Sequence, residues 1–170
     1  CDIASGTSTD VNSNGIPDDC EPDIRVIPVV TLIDPYGTTE ARNAQPSTLT
    51  EVVQGSAYYL EIWATDFGAV NTGLTGVYVD VNFCSATAAS ELFHGNIFTT
   101  FPLGTIQTGK VDEFGGSALP HGGGIEPQWV RVGWIRMTSG VASPSCAITL
   151  TPATNGIGAY TRGLINPAFI

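Results

Sequence analysis

The chain has 170 residues, 42% of them hydrophobic and only 13% charged, with 20 Gly and 11 Pro. That mixture excludes a disordered polymer and specifies a folded, turn-rich protein able to bury its own core. A formal net charge of −10, with six basic residues and Lys110 the sole lysine, excludes nucleic acid as a partner, because phosphate recognition needs clustered Lys and Arg.

The acid is concentrated at the start. Asp2, Asp10, Asp18, Asp19, Glu21 and Asp23 all precede Arg25, the first basic residue. Carboxylates crowded in this way repel one another unless a cation sits among them. The stretch "DVNSNGIPDDCE", residues 10 to 21, matches the calcium-loop pattern D-x-[DN]-x-[DN]-G-x5-E throughout. Asp10, Asn12 and Asn14 take the first three alternating ligand positions, and Gly15 permits the sharp turn. Ile16 offers its backbone carbonyl, Asp18 binds directly or through water, and Glu21 supplies both carboxylate oxygens. Alternation sets these oxygens around one point, as Ca2+ requires.

Helices are not expected on either side, since Pro17 and Pro22 interrupt the segment and "ASGTST" has no apolar period. The segment therefore resembles a thrombospondin type 3 repeat or the calcium loop of dockerins rather than an EF-hand. Its pattern is similar to the "D-x-N-x-N-G-I-P-D-x-C-E" repeat of secreted bacterial surface proteins. Residues 1–23 are read as this calcium-binding linker and 24–170 as a separate domain.

From Ile24 onward the period is two. Strands are expected over 24–30 ("IRVIPVV", where Pro28 suits an edge), 57–65, 76–83, 128–137 and 146–152, with shorter ones near 93–98, 106–111 and 159–169. Tyr58, Leu60, Ile62 and Ala64 share one face, as do Val77, Val79, Val81 and Phe83. "SATAASELF" (85–93) is expected to make a helical turn or two, and "EFGGSALPHGGGIEP" (113–127) to be a loop insert. Asp112 and Glu113 are read as solvated loop charges. Many short strands between turn signals specify an all-β jelly-roll sandwich of about eight or nine strands.

The four cysteines, Cys1, Cys20, Cys84 and Cys146, have no C-x-x-C spacing and suit two disulfides better than zinc. Chain order favours Cys1–Cys20 and Cys84–Cys146 among three pairings, and disulfides imply a secreted, extracellular or cell-surface location.

The stretch "VVQGSAYYLEIWATDFGAVNTGLTGVYVDVNF", with "VRVGWIRMTSGVASPSCAITLTPA" later, is similar to cohesin domains in its apolar positions and glycines. The resemblance spans roughly residues 50 to 155. It implies a non-catalytic jelly-roll sandwich that works through protein–protein contact.

No catalytic template is satisfied. His94 and His121 have no recognisable nucleophile beside them, and "HGGG" lacks the α/β framework that would make it an oxyanion loop. Tyr59 and Trp63 on one strand and Tyr78 on another are read as outward-facing aromatics. They suit a subunit contact or, in the alternative reading, a carbohydrate-binding module. In the favoured reading Trp63 and Trp129 cover the sheet or sit at an interface, and Trp134 fills the core. The apolar end "LINPAFI" is expected to dock within its own sandwich or onto a neighbour's strand edge. The resulting expectation is a calcium-binding structural module that contacts a protein partner or copies of itself, without a membrane span.

Overall fold

A computed structural model describes residues 24–66, 73–118, 123–125, 127–140 and 146–153, together with the backbone of 168 and 169. The predicted calcium ligands Asp10, Asn12, Asn14, Ile16, Asp18 and Glu21 lie outside these residues, as do Cys1, Cys20 and His121.

Ten strands are described: β1 (Ile24–Thr31), β2 (Ala41–Arg42), β3 (Ala57–Asp66), β4 (Gly76–Asn82), β5 (Thr87–His94), β6 (Thr100–Gln107), β7 (Lys110–Ser117), β8 (Trp129–Ser139), β9 (Thr149–Pro152) and β10 (Ala168–Phe169). One sheet runs β10-β1-β3-β8, with both β2 and β5 along the far edge of β8; the other runs β6-β7-β4-β9. All pairs are antiparallel except β1 with β10. Between β3 and β9 every connection crosses from one sheet to the other except the β6–β7 hairpin, which turns at Thr108 and Gly109. No helix occurs among the described residues, and none is long and apolar enough to cross a membrane. The fold is the all-β sandwich that the two-residue period demands.

The alternating residues of β3 and β4 meet between the sheets. Tyr58, Leu60, Ile62 and Ala64 pack with Val77, Val79 and Val81, and β8 adds Val130, Val132, Ile135 and Met137. Each fully buried aliphatic side chain contributes about 1.5–3 kcal/mol. The first sheet also buries its outer face, where Ile27, Val29, Trp63 and Trp129 form a second cluster. This second burial explains why β3 is apolar on both sides.

Three expectations are corrected. Residues 85–93 form no helical turn; Thr87–His94 is a strand zipped along β8 from Ser139 to Gly133, and ladder pairing overrides the helix propensity of Ala, Glu and Leu. No separate strand lies over 93–98, where β5 ends at His94 and a bend follows, and 106–111 spans the tight turn between β6 and β7. The glycine-rich stretch is strand over its first part. A Cβ on Gly115 would stand 1.9 Å from the Val77 carbonyl oxygen, and one on Gly116 2.3 Å from that of Phe98, so the glycines mark close packing of backbones. Asp112 and Glu113 accordingly sit in β7, at a register shift opposite Asp80. There the Asp80 carboxylate accepts the Glu113 amide at 2.9 Å and pairs with Lys110 at 2.9 Å.

Candidate functional site

Cys84 and Cys146 are joined by a disulfide across 62 residues. Cys84 follows β4 and Cys146 precedes β9, so the bond staples two neighbouring strands where Asn82 faces Thr149. Of the three aromatics expected outside, Trp63 is fully buried, Tyr78 nearly so, and Tyr59 half-buried. Tyr78 is held on the second sheet, its hydroxyl 2.9 Å from both the Phe101 carbonyl and the Ser117 hydroxyl.

The outer face of the first sheet is built in three cross-strand rows. Tyr59 faces Arg136, which faces Glu91; Glu61 faces Trp134, which faces Phe93; and Trp63 faces Arg131. A shift in register between Ile62 and Trp63 sets Arg131 and Trp134 on this same face. Trp134 therefore lies outside the inter-sheet core, contrary to expectation. It stacks on Phe93 with centroids 5.3 Å apart, and the Arg131 guanidinium lies 4.8 Å from its ring centre.

Arg131 is the hub. Its guanidinium donates to Glu61 Oε1 at 2.7 Å, to the Thr38 hydroxyl at 2.8 Å and to the Pro35 carbonyl at 3.1 Å, with Glu40 at 3.5 Å. The second Glu61 oxygen accepts the Trp63 indole N–H at 2.8 Å. Both charges are buried, and the pairing makes that burial tolerable. The same bonds pin the 32–40 segment across the sheet.

That segment forms one wall of an aromatic cleft. "DPYG" (34–37) is a turn sequence, and the Tyr36 amide donates to Asp34 Oδ1 at 3.0 Å. The turn leaves Tyr36 80% exposed. One recess of about 140 Å³ lies among Asp34, Tyr36, Tyr59, Phe93 and the Glu91–Arg136 pair. A second of about 440 Å³ shares Tyr36, Phe93 and Trp134 and reaches Glu40 and Asn96. Desolvation and then the Asp34 carboxylate raise the pKa of the Tyr59 hydroxyl, so it remains a donor. Sequence reasoning missed Tyr36, Phe93 and Asp34; the "DPYG" turn was the available signal for the first.

A second surface lies at one end of the sandwich. Thr31 pairs with Tyr59 and Ala57 with Thr138, so the end of β1, the start of β3 and the end of β8 coincide. Leu49, whose amide donates to the Val30 carbonyl, and Val53, whose carbonyl accepts the Ser139 hydroxyl, belong to the same end. Leu32, Ile33, Leu49 and Val53 are 43–75% exposed there. Ile24, which faces Asp66, marks the opposite end.

Neither the family models nor the curated proteins compared with the chain gave a match.

Proposed function

We propose that the protein is a non-catalytic, secreted calcium-binding module that makes protein–protein contacts and assembles with copies of itself at a cell surface or in a matrix. The observation that carries this reading is the apolar end formed by Leu32, Ile33, Leu49 and Val53. Clustered exposed aliphatics of this kind mark contact surfaces. This end is remote from Ile24, where the acidic residues 1–23 join the domain. A calcium-stiffened linker attached at Ile24 and an apolar surface at the far end of β1 suit head-to-tail association.

The Cys84–Cys146 bond supports an oxidising, extracellular location. Within the proposal the sandwich is cohesin-like, and the N-terminal segment is a type 3-like calcium loop with Asp10, Asn12, Asn14, Ile16, Asp18 and Glu21 as its ligands.

Two measurements on the full chain test it. Calorimetric titration with calcium should show binding that Glu21→Gln weakens. Sedimentation in calcium should show association that Ile33→Asp and Val53→Asp reduce, because these exposed positions carry contact rather than fold. Calcium binding indifferent to Glu21, or association indifferent to both aspartates, would refute it.

A further inference from the structure

We infer that the cleft between the 34–37 turn and strands β3, β5 and β8 is a binding subsite for a neutral carbohydrate. Three features of the cleft lead to that ligand class. Its walls are aromatic without being wholly apolar: Tyr36 stands 80% exposed at the rim, and Phe93 forms the floor with Trp134 stacked against it. Aromatic faces take the C–H side of a pyranose ring, and the larger recess, about 440 Å³, lies within the size range of small-molecule sites.

The carboxylates at the rim are each hydrogen-bonded. Asp34 receives the Tyr36 amide at 3.0 Å, Glu91 is paired with Arg136 at 2.9 Å, and Glu40 receives the Asn96 amide at 2.7 Å. Only Glu91 has a counter-charge of its own, so the rim keeps a negative excess that disfavours an anion, while the N–H donors beside it would be of no use to a bare cation. Each carboxylate nevertheless retains lone pairs, and Arg136 and Asn96 retain N–H groups. A ligand rich in hydroxyls, donor and acceptor at once, uses both sets. An anion would meet three carboxylates, and an aliphatic peptide side chain would leave the rim groups without partners.

The third feature is rigidity. The cleft wall is fixed from below by Arg131, which is buried and bonds the Pro35 carbonyl and the Thr38 hydroxyl on either side of Tyr36. A preorganised aromatic loses little entropy on binding.

The cleft borders the apolar end, since Asp34 follows Ile33 and Tyr59 faces Thr31, but Leu32, Ile33, Leu49 and Val53 are not among its lining residues, so variants of the two surfaces tell the two proposals apart. The test is electrophoresis of the full chain in native gels containing hydroxyethylcellulose, galactomannan or dextran, with calcium present. The inference predicts retardation by at least one of the three polymers. Tyr36→Ala should weaken that binding about three- to tenfold, in line with the value of one aromatic contact. Tyr36→Phe, which keeps the ring, should restore most of it, and Val53→Asp, at a position that lines neither recess, should leave it unchanged. Free oligosaccharide of the retarding polymer should compete. Absence of retardation in all three gels would overturn the inference, as would retardation equal in Tyr36→Ala. Competition by choline or lysine instead of oligosaccharide would overturn it too, by making the cleft a cation site.

Discussion

Replacing Arg131 by Met removes the hub of the outer face while roughly conserving its volume. The side chain is 1% exposed and its partner Glu61 7%, with 2.7 Å between them. After the substitution Glu61 keeps the Trp63 indole but has lost its counter-charge, and the Thr38 hydroxyl and Pro35 carbonyl lose their donor. An uncompensated buried charge destabilises by about 3–5 kcal/mol. For a chain of this size each kcal/mol moves the melting temperature by about 2–4 °C, so a fall of about 6–20 °C is expected. Thermal unfolding followed by fluorescence of the three tryptophans measures this, and urea unfolding gives the free-energy change, since Trp63 and Trp134 border the network. The decisive control is Glu61→Leu combined with Arg131→Met, which removes the network's most deeply buried carboxylate along with its partner, leaves Glu40 its Asn96 donor, and should recover most of the loss. A single variant destabilised by less than about 1 kcal/mol, or a double variant as unstable as the single, would refute the reasoning.

Other perturbations read different parts of the frame. Cys84→Ala with Cys146→Ala opens a loop of 62 residues and should cost about 2–4 kcal/mol, seen as a lower urea midpoint than that of the oxidised chain. Gly133→Ala should destabilise by about 1–3 kcal/mol, because its Cβ would stand 2.4 Å from the Phe93 carbonyl and 2.8 Å from the Phe114 ring. Burial beside Phe114 lowers the His94 pKa, so the unfolded chain takes up this proton first. Stability should therefore fall as pH drops below about 6.5, the ordinary histidine value, and level off below the folded-state pKa. His94→Phe should flatten that fall in denaturation midpoints recorded between pH 7 and 5.5.

The inter-sheet core was legible because alternation is a local signal. Val77, Val79 and Val81 point inward in both the sequence pattern and the fold. The outer faces were not, because alternation cannot say whether the second side of a strand is covered. Trp63 and Tyr78 alternate correctly and are still buried, one with the Trp129 cluster and the other against Ser117. The position of Trp134 depended on the register shift beside Trp63, which alternation does not announce. β5 was missed because its strand state is imposed by β8. The aromatic cleft joins residues 34–37, 59, 91–93 and 134–136, and only the sheet topology brings those segments together. The Cys84–Cys146 pairing, by contrast, followed from chain order.

The central claim is calcium-dependent contact between copies of this chain, and electron microscopy of the native protein tests it most directly. Grids prepared in calcium and after chelation with EDTA would be compared. The account predicts ordered polymers in calcium that loosen or dissolve in EDTA. Compact monomers under both conditions would contradict it.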